Sequence, residues 1–180
     1  MPPTKSRPNP ERPIVCRELR KSDVEGLARA FGGPPFDSPP GRWPTLLDEH
    51  RSGQRVVLVA RRGRRIAGYG TLLHKSGYPP FHNAGIPEIA DVAVALDARR
   101  SGIATHIVHA LEERARRDGC TAVGLGVGLD AGFGAAQRLY VKLGYAPDGC
   151  GVTSAYRPVG RGESIEIGDH TLLWLSKPLT

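Results

Sequence analysis

The chain has 180 residues and a formal charge of +7, from 25 Lys and Arg set against 18 Asp and Glu. At 39% hydrophobic and 24% charged residues it has the make-up of an ordinary globular domain with one sizeable core. No apolar run approaches the ~20 residues that span a bilayer, so neither a membrane anchor nor a signal peptide is expected.

The three cysteines, Cys16, Cys120 and Cys150, are too few and too widely spaced for a disulfide framework or a zinc pattern. They are expected to be reduced, small apolar fillers in a cytoplasmic protein. The basic excess attracts anions, whether nucleic acid, an anionic membrane or a phosphorylated cofactor, and does not choose among them.

Residues 1–13 hold five prolines and almost nothing apolar, which predicts a disordered tail. A single domain is expected over 14–180. Ile14 to Leu19 reads as a first strand. Ser22 or Asp23 is the expected N-cap of a helix carrying Val24, Leu27, Ala28 and Phe31 at helical spacing, stopped by Gly32-Gly33. A Pro-rich loop containing Phe36 and Trp43 precedes a second short helix around Leu46, Leu47 and His50. Arg55–Ala60 and Ile66–Leu73, with Gly63 between them, predict a hairpin. Lys75 to Pro87 reads as a Gly- and Pro-rich loop.

Glu88 to Ala95 is a strand whose alternation fails between Ile89 and Val92, which a β-bulge would repair. Ser101 to Asp118 is the clearest helix, with an apolar stripe of Ile103, Ala104, Ile107, Val108, Leu111 and Ala115. Glu112, Glu113, Arg114, Arg116 and Arg117 fall towards its exposed end, and Gly119 closes it. Val123, Leu125 and Val127 alternate with small residues in another strand. Ala131 to Leu143 is an amphipathic helix ended by Gly144, a short strand follows from Tyr145, and Thr171–Ser176 is a last, buried strand. This mixed order implies an α/β sheet with parallel and antiparallel parts.

The segment from Val92 to Thr105 places a basic loop between a strand and a helix that opens on small residues. Helix-initial amides lack intrahelical acceptors and carry the positive end of the macrodipole, so a phosphate suits them. Arg99 and Arg100 add charge-assisted donors. The spacing fits phosphate capture, and fits equally a plain turn with Ser101 as N-cap and two surface arginines. A Walker loop is excluded, since no Gly-Lys-Ser/Thr is present. A dinucleotide fingerprint is excluded too, since the loop has a single glycine.

Arg99-Arg100-Ser101-Gly102-Ile103-Ala104 matches Gln/Arg-x-x-Gly-x-Gly/Ala, and Ala136, Tyr140, Gly144 and Tyr145 match Ala-x-x-x-Tyr-x-x-x-Gly-Phe/Tyr. On these two blocks, which together span about residues 86–149, the chain resembles the GNAT N-acetyltransferase superfamily. The resemblance implies a mixed, splayed six- to seven-stranded sheet flanked by about four helices. It implies acetyl-CoA as cosubstrate and no metal. The pantetheine arm would pair with Val92, Ala93 and Val94 in the manner of an added strand. The pyrophosphate would rest on the amides from Arg100 to Thr105, among them Ser101, Gly102, Ile103 and Ala104. Phe133 stands where many members have Asn, beside Ala136 in the cofactor-binding set.

Transfer would run directly from thioester to amine, with Tyr140 as general acid and Glu88 as base, directly or through water; Asp91 is the second candidate base. Phe36, Trp43, Tyr78, Phe81, His82 and Tyr156 are the candidate acceptor walls. His106 and His109, spaced i, i+3, lack a third ligand. The expected partner is a small-molecule amine, with no nucleic acid and no membrane, in a possible homodimer. A protein lysine or N-terminus as acceptor, and a non-catalytic acyl-CoA-binding module, are the competing readings. A nucleic-acid-binding domain would rest on charge alone and lacks a matching motif.

Overall fold

The computed structural model describes residues 13–36 and 38–179, so the expected tail lies outside the described residues except for Pro13. The described residues form eight strands and five α-helices. They are β1 (Ile14–Glu18), α1 (Val24–Phe31), α2 (Arg42–Arg51), β2 (Arg55–Arg62), β3 (Arg65–Leu73), α3 (Pro79–Ala84), β4 (Glu88–Val94), α4 (Ile103–Arg117), β5 (Ala122–Gly128), α5 (Gly134–Lys142), β6 (Ala146–Ser154), β7 (Arg157–Pro158) and β8 (Thr171–Pro178). The strand order is β1-β2-β3-β4-β5-β8-β6-β7. β4 and β5 run parallel, whereas β1–β2, β5–β8, β6–β8 and β6–β7 are antiparallel. The sheet is thus of the mixed kind expected. It gains over the expectation the two-residue β7 and the helix α3.

The fold groups into two compact units, Met1–Thr71 with Asp91–Ala110 and Leu72–Ala90 with Leu111–Thr180. In the first, α1 and α2 bury Leu27, Phe31, Trp43, Leu46 and Leu47. Phe31 lies edge-on to Phe36 and Tyr69 at centroid distances of 4.9 and 5.0 Å, and Trp43 meets Tyr69 at 5.3 Å. Edge-to-face pairs of this kind add to simple area burial. Trp43 belongs to α2 and not to the loop before it, because Gly41 takes a left-handed conformation and lets the helix start at Arg42. Pro44 then falls in the first turn, where no intrahelical amide is lost.

Asp23 is the unit's buried charge. It stands at the expected N-cap of α1, but its carboxylate turns away from the helix. It accepts two bonds from Arg17 at 2.7 Å, one from Arg61 at 2.9 Å and one from the Arg20 amide at 2.9 Å. Burial alone would raise its pKa; the Arg17 bonds, the Arg20 amide and the Arg61 charge outweigh it and hold the carboxyl below its ordinary value.

The second unit explains the small residues of β5. Val123, Leu125 and Val127 are fully buried, and the opposite face carries glycines because aromatic rings occupy the space. A Cβ on Gly124 would lie 2.1 Å from the Phe81 ring, and one on Gly128 would lie 2.4 Å from Phe133. Tyr78 stacks on Trp174 at 4.1 Å with Phe81 edge-on at 5.5 Å.

The segment 75–87, expected to be loop, contains α3. Pro79 and Pro80 occupy its first turn and Gly85 closes it in the left-handed region, so residues that read as breakers act as start and stop signals. Glu112, expected on the exposed end of α4, is 2% exposed. Lys177 donates to it at 2.9 Å, which offsets the cost of burying the charge. Cys16 and Cys120 are half-buried with raised pKa values from burial, but Cys150 is exposed and fills no core.

Removing a buried, bonded charge leaves its cationic partners unpaired, so Asp23→Ala should lower stability by roughly 3–5 kcal/mol. The contribution is complete above the ordinary aspartate pKa of about 3.9 and is lost as pH falls through the lower folded value. Urea midpoints at pH 7 and in strong acid check both points. A difference that does not shrink in acid would contradict the assignment.

Candidate active site

The strand–loop–helix segment of the first unit is built around three left-handed residues. Asp91, in the middle of β4, has φ +54°; Arg100 has φ +58° and Gly102 φ +80°. The first is the irregularity the broken alternation called for. Ile89 before it is fully buried, and Val92–Val94 after it are half-buried. The other two shape the turn that leads into α4.

Between β4 and α4 the chain makes a short 3-10 turn at Leu96–Ala98. Ser101 donates its hydroxyl proton to the Ala98 carbonyl at 2.6 Å, and Arg62 reaches the Ser101 carbonyl at 3.3 Å. Arg65 and Asp97 pair across the loop. The Gly102 carbonyl accepts the His106 amide at 3.1 Å and faces His106 Nδ1 at 3.0 Å. Ser101 therefore works inside the loop, and the turn is tied down at both ends before the helix amides emerge.

Successive amides around left-handed residues form an anion-binding concavity, and the adjoining helix start adds its dipole. A Cβ on Gly102 would meet nothing nearer than 3.8 Å, so this glycine is required by backbone conformation and not by crowding. Arg100 is exposed and has no ion-pair partner among the described residues. Arg99 is partly engaged, its guanidinium 5.6 Å from the Phe36 ring and its Nε 3.4 Å from the Val94 carbonyl. Ile103 is buried, and Ala104 and Thr105 are half-buried. These residues fit a diphosphate.

The second unit carries the other candidate residues. Tyr140 on α5 is 8% exposed, its ring 5.9 Å from Tyr145. Burial pushes its phenol up to about 12, and burial with the nearby Glu112 charge raises Tyr145 as well. Phe133 packs over Gly128, while Gln137 donates to the Gly128 carbonyl at 2.8 Å. Ala136 is half-buried. Glu88 is 7% exposed and accepts the Ser76 hydroxyl at 2.6 Å; the same oxygen of Ser76 receives the Tyr78 amide at 3.0 Å.

Asp91 is differently placed, paired with Arg42 at 2.9 Å and Arg55 at 3.2 Å and bonded by Thr71 at 3.3 Å. Ser76, Arg42 and Arg55 were invisible as site neighbours in the sequence. Nothing in their spacing marks them, because it is the tertiary fold that brings α2, β2 and the loop after β3 to Glu88 and Asp91.

Of the candidate acceptor walls, Trp43, Tyr78 and Phe81 are core rings. Tyr78 keeps a polar tip, donating to Asp148 at 2.8 Å. Phe36 is half-buried, His82 is exposed and Tyr156 is 45% exposed. No group of three or more His, Cys, Asp or Glu side chains able to hold a metal occurs among the described residues. No helix there is long and apolar enough to cross a membrane.

The acetyltransferase (GNAT) family model matches residues 24–145, and the chain belongs to that family. It is an N-acetyltransferase that uses acetyl-CoA. Solved structures agree on the fold. An aminoglycoside 6'-N-acetyltransferase complexed with coenzyme A is 17% identical, with TM-score 0.67 over 92% of this chain and 97% of that one. A ribosomal-protein-alanine N-acetyltransferase from Brucella melitensis is 24% identical, with TM-score 0.65 over 92% and 99%. An N-acetyltransferase from Staphylococcus aureus Mu50 is 16% identical, with TM-score 0.69 over 93% and 99%. No curated protein sequence matches the chain.

A side chain at position 102 must enter the left-handed region, at a cost of ~1–2 kcal/mol for an L-residue. If the turn relaxes instead, the amides lose their aim. Gly102→Val should therefore weaken coenzyme A binding about tenfold or more, measured by isothermal titration calorimetry. Unchanged affinity would remove the loop from the binding site.

Proposed function

We propose that the protein moves the acetyl group of acetyl-CoA directly to the primary amine of a small molecule, with Tyr140 as general acid. The loop from Arg99 to Thr105 holds the pyrophosphate, and Val92, Ala93 and Val94 pair with the pantetheine arm, with Phe133 and Ala136 beside it. Bound acetyl-CoA supplies an activated acyl carbon.

Glu88 takes a proton from the amine, directly or through water, since an ammonium has no lone pair to attack with. The new N–C bond forms as the C–S bond breaks. Tyr140 donates its proton to the departing sulfur, the acylated nitrogen releases its remaining extra proton to solvent, and the phenol and Glu88 return to their starting protonation states by exchange with solvent. The observation that carries this reading is the burial of the Tyr140 phenol on α5, which favours its neutral form. Glu88 is supported by its burial and by Ser76, which donates to its carboxylate at 2.6 Å.

A small amine is favoured over a peptide by the aromatic candidates that keep some exposure, the half-buried Phe36 and the exposed Tyr156. Such rings offer faces to an apolar or cationic group.

Coenzyme A release should be seen with members of a broad amine panel and not with N-terminal or lysine peptides. Tyr140→Phe should lower kcat about 10²-fold while leaving coenzyme A affinity within about threefold, since a hydroxyl absent from the binding contacts is lost. With the phenol at about 12, kcat should not fall from phenol ionisation up to pH 10. Full turnover in Tyr140→Phe, or turnover on peptides alone, would overturn the proposal.

A further inference from the structure

The bulge at Asp91 is held from outside β4. A residue with a Cβ enters the left-handed region against a steric penalty, and aspartate is one of the few that tolerate it. Here φ is +54°, so something must keep the strand from relaxing. The carboxylate supplies the hold. One oxygen accepts from Arg42 on α2 at 2.9 Å; the other accepts from Arg55 on β2 at 3.2 Å and from Thr71 on β3 at 3.3 Å.

The two arginines are themselves fixed. Arg55 also pairs with Glu49 of α2 at 2.9 Å. Arg42 lies beside the phenol of Tyr69, whose ring packs edge-on against Phe31 and Trp43. The arginine side chains are only 28% and 19% exposed, so screening by solvent is reduced relative to a surface pair. Just beyond, the Ala95 amide bonds to the Ala67 carbonyl at 2.9 Å. The bulge is thus clamped before the strand rejoins its neighbour.

We infer that Asp91 is a positioning residue for the cosubstrate. The clasp of Arg42, Arg55 and Thr71 on Asp91 sets the register of Val92–Val94, and so decides which backbone groups of β4 meet the pantetheine arm. The carboxylate, with donors on both oxygens, is a tether and not the proton acceptor. This rests on the proposed pairing of the arm with Val92–Val94.

The test compares Asp91→Gly, Asp91→Ala, Asp91→Asn and Arg42→Gln by acetyl-CoA titration calorimetry and steady-state kinetics, with thermal unfolding alongside. Gly and Ala lose the same ion pairs, but only Gly enters the left-handed region freely. Asp91→Ala should weaken acetyl-CoA binding about tenfold, with amine KM within about twofold, whereas Asp91→Gly should stay within about threefold of the native protein. Arg42→Gln should weaken binding in the native background and add nothing to Asp91→Gly, because the two act through one feature.

Equal losses in Gly and Ala, additive effects of Arg42→Gln and Asp91→Gly, or a displaced pH–rate profile in Asp91→Asn would each overturn the inference. Should Asp91→Ala fail to fold, the Arg42→Gln cycle decides alone. Failure of the native protein to bind acetyl-CoA would instead remove the pairing on which the inference stands.

Discussion

The arrangement depends on a backbone constraint: the turn before α4 must pass through left-handed conformations at Arg100 and Gly102. Most side chains are repelled from that region by contact of Cβ with the neighbouring carbonyl. Glycine at 102 removes the penalty at one of the two residues. The remaining strain is borne by ties at either end, Ser101 to Ala98 and Arg62 to Ser101. The result is a constrained turn leading into the first amides of α4, beside an exposed Arg100 that has no ion-pair partner among the described residues. Backbone amides give such a site its geometry, and arginines add charge; neither alone distinguishes phosphate from solvent.

A second strained residue, Asp91, serves the same end by other means. Where the loop uses glycine, β4 uses an aspartate whose carboxylate is bound by two arginines and a threonine. The contrast has a physical reason. A glycine in mid-strand would take the left-handed conformation without strain, whereas an aspartate there must offset its strain with bonds from its carboxylate.

Much of this was legible in the chain. The stripe from Ile103 to Ala115 placed α4 within two residues at its start, and Gly119 and Gly144, both at positive φ, ended their helices as expected. The broken alternation at Asp91 signalled the bulge because a period of two leaves no other repair.

What stayed hidden was tertiary. Pro79-Pro80 read as loop, since prolines mark both breaks and helix starts. Glu112 read as exposed until Lys177, 65 residues on, supplied its partner. The glycines of β5 gave no hint that Phe81 and Phe133 fill the space above them. Of the candidate site, the loop and Tyr140 were readable from local motifs. The neighbours Ser76, Arg42 and Arg55 were not, being 12, 49 and 36 residues from the carboxylates they bind. The aromatic acceptor candidates were over-read for a similar reason: Trp43, Tyr78 and Phe81 are large apolar groups, and the core absorbed them.

The central claim is that amides at the start of α4 bind the diphosphate of the cosubstrate. Amide chemical shifts of nitrogen-15-labelled protein, titrated with coenzyme A and separately with pantetheine, test it most directly. Coenzyme A should move the amide proton signals of Gly102, Ile103, Ala104 and Thr105 downfield, as hydrogen bonding to an anion does, and pantetheine should leave them in place. Equal shifts with both ligands, or none at these four residues with coenzyme A bound, would contradict the account.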